Sequence, residues 1–247
     1  MPEFVKFLAF DTSTDRMSVA LTDGVRVWQH SGPGGAQAST TLIPAILALL
    51  AESGIALREL DAIAFGRGPG SFTGLRTACS VAQGLAFGAN HGAGIPVLPI
   101  DTLMAVAEEA RFQHAEGVAV IAERLVITAL LDARMDEIYL QSYVFSSGLC
   151  KPVNDCRVIR PENMVVEPSA RLLAGNVFGV YAGRLPATLG VLLQVEAFPT
   201  ASALLRLAPM LAAAGQCVDA ALALPLYVRD KVALTTDERA QAKALSI

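Results

Sequence analysis

Gly66-Arg67-Gly68-Pro69-Gly70-Ser71-Phe72-Thr73-Gly74-Leu75-Arg76 lies between a short apolar segment, Asp61-Ala62-Ile63-Ala64-Phe65, and a nearly uncharged helical stretch, Thr77 to Asn90. A strand, a glycine-rich turn and a helix start together aim backbone N–H groups at one point, which suits an anion. Glycines at 66, 68, 70 and 74 also let one backbone approach another closely. Neither common phosphate signature is met. A Walker loop requires a lysine, and none lies between Lys6 and Lys151. The spacing G-x-G-x-x-G fails because Ser71 and Thr73 stand where the third glycine would fall. The run therefore reads in two ways, as a phosphate cradle or as a tight strand-to-helix turn packed against a second surface.

Upstream, Phe7-Leu8-Ala9-Phe10 reads as a buried strand running into Asp11-Thr12-Ser13-Thr14-Asp15-Arg16. Met17 to Thr22 and Val25 to His30 follow as two more strands, with a hairpin signal at Asp23-Gly24. In folds of the actin/hexokinase/Hsp70 type, a first turn carrying one carboxylate and several hydroxyls grips phosphate. The same residues can equally satisfy the turn's own backbone. On the first reading, Asp11, Thr12, Ser13, Gly68 and Gly70 are candidate nucleotide contacts.

The pattern predicts a helix over 38–53 capped by Ser39 or Thr40 and ended by Gly54, with Pro44 bending it. A helix over 73–90 and a strand over 96–100 follow, then a helix over 103–112 capped by Asp101 and Thr102. The second half loosely repeats the theme. Strands are expected at 125–132 and 137–145, a third near 156–159 and a buried one at 172–176, followed by a helix over 201–214 ended by Gly215. Leu224-Pro225-Leu226-Tyr227-Val228-Arg229 reads as a short extended element, and the charged stretch beyond Leu234 as a frayed tail. The expected class is α/β: a two-lobed, ribonuclease-H-like fold with a degenerate second lobe. Residues 1–103 would form the N-terminal lobe, with a helix near 201–215 packing back on it. Residues 104–200 would form the smaller C-terminal lobe and 216–247 a tail.

Hydrophobic residues make up 53% of the 247 residues and charged residues 17%, and the mean hydropathy is +0.47. Such a chain fills its core with apolar surface to spare, which implies a partner. Thr77 to Ile100 carries no charge, but Gly92, Gly94 and Pro96 break it, so no membrane span is expected. No signal peptide is visible, and a cytoplasmic location is expected. A formal charge of −4 argues against a main nucleic-acid surface, so strong direct binding of tRNA or DNA by this chain alone is not expected. Cys79, Cys150, Cys156 and Cys217 form no C-x-x-C pair, and neither a metal nor a redox role is expected.

The catalytic inventory is thin. His30, His91 and His114 are far apart, and no H-E-x-x-H is present, which disfavours a zinc peptidase. Gly70-Ser71-Phe72-Thr73-Gly74 has the wrong spacing for a hydrolase elbow. Asp132, Arg134, Asp136 and Glu137 cluster at a turn that reads as a solvated hairpin end.

Taken together, Leu8 to Thr14, Gly66 to Arg76, Leu131-Asp132-Ala133-Arg134-Met135-Asp136-Glu137-Ile138-Tyr139 and Pro225 to Asp230 resemble signatures of the TsaB (YeaZ) family, in the right order over roughly residues 4–233. The resemblance implies a two-lobed ASKHA-type fold without its own catalysis. Its partner would be a TsaD-like transferase that threonylcarbamoylates adenosine next to the tRNA anticodon, with a TsaE-like ATPase. It also implies a dimer surface on the helices near 38–53 and 73–90, and a homodimer in isolation. Leu42, Ile46, Leu49, Leu75, Val81 and Leu85 are the candidate apolar contacts there, with Ala78, Ala82 and Ala86 leaving room for a close helix. No cofactor is expected to be held strongly, and ATP or ADP would sit at the complex interface. Two departures stand out: Ala38-Ser39-Thr40-Thr41 replaces a His-Ser/Thr-Glu-like start, and Asp136 stands where a glycine is common. The alternative is a stand-alone ASKHA-type ATPase or kinase using Asp11 and the two turns.

Overall fold

The computed structural model of the chain describes residues 5–89, 94–116 and 124–229. Asn90, His91, Gly92 and the tail beyond Leu234 lie outside them. The first sheet contains β1 (Phe7–Asp11), β2 (Arg16–Thr22), β3 (Val27–Pro33), β4 (Ala62–Gly68) and β5 (Val97–Asp101), in the order β3-β2-β1-β4-β5. β1 and β2 are antiparallel, as are β2 and β3, while β1, β4 and β5 run parallel.

β1 is buried along its whole length because it is central and covered on both faces. Leu8 and Phe10 point to one core cluster, with Ile63 and Phe65 of β4 and Val19 and Leu21 of β2. Phe7 and Ala9 point to the other, with Ala20, Ala62 and Ala64. The first face is covered by α1 (Ala38–Ser53) and α2 (Phe72–Gly88). On the second face the small alanines let α4 (Ala201–Ala213) lie against β1, β2 and β4. Ala201 N–H donates to Ser18 Oγ at 2.9 Å, fixing the start of α4 on this sheet.

The second sheet contains β6 (Arg124–Arg134), β7 (Glu137–Ser146), β8 (Leu149–Pro152), β10 (Leu172–Gly175) and β11 (Leu193–Glu196), in the order β11-β10-β6-β7-β8, with β9 (Arg157–Ile159) pairing β7. Read from the other edge, β8-β7-β6-β10-β11 repeats the order and directions of the first sheet. One face packs Ile127, Ala129, Leu131, Leu172 and Ala174 into the same cluster as α3 (Thr102–Glu116) and α4. The two helices thus form a central layer between the sheets. The opposite face, with Leu130, Ile138 and Leu173, is covered by irregular segments carrying Met164, Val177, Tyr181 and Leu189. The second lobe therefore keeps the sheet and loses the two outer helices.

Local differences from the sequence expectations have simple causes. Ser39 and Thr40 do not cap α1; their hydroxyls donate back to the Ala36 and Gln37 carbonyls, and a short 3-10 turn over Gly35–Gln37 precedes the helix. Asp101 and Thr102, at the start of α3, also serve the glycine run. Asp101 pairs with Arg67 at 2.6 Å, and Thr102 Oγ1 accepts from Gly68 N–H at 3.1 Å. β8 and β11 were not expected from the sequence; both are four-residue edge strands with three of four residues exposed, too short to print an alternation.

An ion-pair network joins the two central helices. The Glu108 carboxylate accepts from Arg111 of α3 at 2.7 and 2.9 Å and from Arg206 of α4 at 2.8 Å. Arg206 also reaches Glu109 at 2.7 Å. Only 4% of the Glu108 side chain is exposed, so removing it leaves Arg111 without its carboxylate and Arg206 with Glu109 alone. Glu108→Ala is expected to cost roughly 3 kcal/mol, read as the shift in a urea unfolding midpoint, with Glu108→Gln losing less.

Candidate functional site

The glycine run ends β4 and starts α2, facing the turn between β1 and β2. Ser71 N–H donates to the Ser13 carbonyl at 2.7 Å, tying the two turns together. A Cβ on Gly70 would stand 2.6 Å from Ser13 Cβ, and Gly74 abuts the Thr12 carbonyl. Gly68, at φ +126°, is buried against the later chain: a Cβ there would lie 2.5 Å from the Leu226 carbonyl. The close approaches that require glycine are therefore made to the chain's own backbone and side chains.

The polar atoms of the first turn are taken up in the same way. Asp11 Oδ1 accepts from Ser13 N–H at 2.8 Å and from Ser13 Oγ at 2.6 Å. Thr12 Oγ1 donates to the Gly74 carbonyl at 2.7 Å. Asp11 Oδ2 is buried against Gly66 without a hydrogen-bond partner. Burial pushes the Asp11 carboxyl up to about 6, against a lesser lowering by the Ser13 bonds.

Between the lobes lies a cleft of about 690 Å³. Ser13, Gly70 and Ser71 border it from the first lobe, Asp132, Arg134 and Tyr139 from the second, and Leu226 to Arg229 along one side. Of the expected nucleotide contacts, Ser13 and Gly70 reach this cleft, whereas Asp11, Thr12 and Gly68 do not border it. Asp132 is likewise engaged: its Oδ1 accepts from Arg134 N–H and from the Tyr181 hydroxyl, both at 2.8 Å. A metal-phosphate group is thus poorly served by this donor set, because its one orphan oxygen is sealed behind Gly66. Among the described residues, no three His, Cys, Asp or Glu side chains come together as a metal site.

The second expected site was the pair α1 and α2, and here the structure corrects the residue set. Leu42, Ile46, Leu49, Leu75, Ala78, Ala82 and Ala86 are buried in the chain's own core, so a second chain cannot reach them. Val81 and Leu85 are half-buried at the margin of that cluster. Both helices are apolar on more than one face, and the sheet has claimed one face of each. The outer face of α1 presents Ile43 at 45% and Leu47 at 55% exposure, and α2 presents Phe87 at 63%. Thr73, Ser80, Gly84 and Gly88 lie exposed along α2, and a Cβ on Gly84 or Gly88 would meet open space. The spacing held a signal that separates the two sets: Leu42, Ile46 and Leu49 follow a core stripe, and Ile43 and Leu47 fall one residue off it. By length and composition Gly35–Ser53 could also cross a membrane, with a mean hydropathy of 1.2, but its inner face packs on β2 and β3.

Two sheets of matching strand order around a two-helix layer, with a cleft between them, define a two-lobed α/β protein of the ASKHA class. The family model for "TsaD: tRNA N6-adenosine threonylcarbamoyltransferase" matches residues 33–174. The chain is 32% identical over 237 residues to the tRNA threonylcarbamoyladenosine biosynthesis protein TsaB of Escherichia coli, covering 93% of this chain and 96% of that protein. It is 43% identical over 137 residues to the protein of the same name in Haemophilus influenzae, spanning 56% of this chain and about half (53%) of that relative. The solved structure of YeaZ from Pseudomonas aeruginosa superposes with a TM-score of 0.78 at 38% identity, over 90% of this chain and 99% of that one. A second structure, described as an uncharacterized protein with similarity to peptidase YeaZ from the same organism, gives 0.77 at 37% identity, over 91% and 100%. The chain belongs to the TsaB (YeaZ) family, and its residues 33–174 fall under the TsaD family model.

Asp11 gives a pH test of the site. Its folded carboxyl holds a proton up to about pH 6, against 3.8 for the free side chain. Between those values the folded chain binds a proton that the unfolded chain has lost, so stability falls as pH rises from 3.8 to 6 and is level above. At pH 7 the buried carboxylate costs roughly 3 kcal/mol. Asp11→Asn is expected to raise the melting temperature at pH 7.5, with the gain fading below pH 4. A difference that stays constant with pH would remove the account of a desolvated carboxylate.

Proposed function

We propose that this chain acts in tRNA threonylcarbamoyladenosine biosynthesis as a non-catalytic partner. It would bind and activate a TsaD-like transferase, with a TsaE-like ATPase completing the assembly and tRNA contacted only through the partner. Similarity to the E. coli TsaB over nearly the full length, at 32% identity, supports the pathway. The observation that carries the partner role is the open outer face of α1 and α2. Ile43, Leu47 and Phe87 supply apolar contact there, and Gly84 and Gly88 leave room for a close helix. In isolation the same face would serve a homodimer, because an uncovered apolar helix pair favours self-association. A cytoplasmic site of action goes with a role in tRNA modification.

The second reading, a stand-alone ATPase or kinase, draws on the interlobe cleft and its border of Ser13 and Gly70. ATP turnover by the chain alone that is lost in Asp11→Ala would favour it. ATP or ADP held at the interface with the transferase is compatible with the first reading.

The deciding measurement is tRNA modification by a purified TsaD-like transferase supplied with threonylcarbamoyl-adenylate, with and without this chain. A large gain on addition is expected. Leu47→Arg and Gly84→Arg should each lower that gain at least tenfold while leaving the fold intact. Gly84→Arg should even raise the melting temperature slightly, since glycine costs about 1 kcal/mol inside a helix. Ala82→Arg, by contrast, should unfold the first lobe. No gain from the native chain, or full gain from both surface variants, would sink the proposed partner face.

A further inference from the structure

The segment Ala223–Arg229 is in contact with both lobes. At its start the Ala223 carbonyl accepts from Gln83 Nε2 of α2 at 2.9 Å and from Cys79 Sγ at 3.2 Å. Next, Leu226 N–H donates to the Arg67 carbonyl at 2.7 Å, and the Leu226 carbonyl lies in the space that a Cβ on Gly68 would need. The Tyr227 ring stands 5.2 Å from Phe72, at the first turn of α2, and its hydroxyl accepts from Arg76 Nε at 3.1 Å. Up to this point every contact is with the first lobe. Val228 then packs against the central cluster between the sheets. Arg229 reaches the second lobe, where its guanidinium pairs with Glu137 and donates to the Arg134 carbonyl at 3.4 Å.

The second-lobe anchor is a strained one. Arg134, Met135 and Asp136, which turn β6 into β7, are successive non-glycine residues at φ +60°, +55° and +60°. Left-handed backbone is unfavourable for a residue with a Cβ, so three in succession need contacts that hold the turn. It is held by Arg229 on one side and by Arg184, which donates to Asp136 at 2.6 Å, on the other. The Arg229 side chain is only 16% exposed, so its charge is fixed between the lobes and does not trail in solvent.

We infer that Ala223–Arg229 is an interlobe latch. It ties the glycine run and the start of α2 to the β6–β7 turn and holds the cleft at one opening. The inference stands on these contacts alone and does not depend on the partner reading. It gives the strap a mechanical role: domain closure about the cleft requires Arg229 to leave Glu137. It also accounts for Gly68, where the strap's Leu226 carbonyl takes the space of a Cβ.

Hydrogen–deuterium exchange on the intact chain tests it from both ends. Arg229→Ala cuts the latch on the strap, and Glu137→Gln cuts it on the second lobe. A latch requires that each variant speed exchange at least tenfold both at 133–138 and, in the other lobe, at 67–76, with β1 and α1 still protected as in the native chain. Loosening confined to 133–138, or native exchange at both segments in Glu137→Gln, would overturn it. Global unfolding of Arg229→Ala would leave the decision to Glu137→Gln, which removes only the charge.

Discussion

The run from Gly66 to Gly74 is closely approached on two sides, by the β1–β2 turn and by the strap at Leu226. The contacts are made by carbonyls and N–H groups together with the Asp11, Thr12 and Ser13 side chains. Ser71 N–H to Ser13 O and Leu226 N–H to Arg67 O are the backbone hydrogen bonds of that contact. Everything that gives the cleft its shape hangs on it: where α2 begins, how far β1 extends, and which way the chain leaves toward the second lobe. A methyl group at any of the contacting glycines would separate these segments. The glycine content is thus explained by close approach, with no ligand required.

The duplication of strand order across the lobes shows what a degenerate repeat can give up. A sheet needs both faces covered when its strands are apolar on both. The first sheet meets this with α1 and α2 outside and α4 inside. The second has α3 inside and only irregular chain outside, where Met164, Tyr181 and Leu189 do the covering. The inner layer could not be lost in the same way. α3 and α4 serve both sheets at once, and the Glu108–Arg111–Arg206 network fixes them to each other. The outer faces of α1 and α2 are under no such internal demand, which is why apolar residues left there read as a surface for another chain.

Much of the architecture was legible in the sequence because it rests on local periodicity. The three opening strands, α1 over 38–53, the glycine turn, and the later helix that ends before Gly215 can all be read from hydrophobic spacing and terminators. β8 and β11 were not legible, since four residues at a sheet edge carry too short a pattern. Asp101 and Thr102 read as a helix cap, and the sequence did not show that they also hold Arg67 and Gly68. A side chain with two geometrically sensible local roles is assigned by its neighbours in space. The site was less legible than the fold. Asp11, Thr12 and Ser13 carry polar atoms in a suggestive order, but sequence does not say which of those atoms are already spent on Gly74 and on each other.

From the sequence alone follow the α/β class, the two halves, the strand-turn-helix at Gly66–Arg76 and the excess of apolar residues on two helices. These are consequences of residue type and spacing, which act over a few residues. Only the tertiary structure decided which faces those helices turn inward, burying Leu42 and Ala82 and leaving Leu47 and Gly84 open. It alone brought Arg229 to Glu137 across 92 residues of chain. Burial and long-range pairing depend on which surfaces meet, and that is settled only when both sheets close on the helices between them.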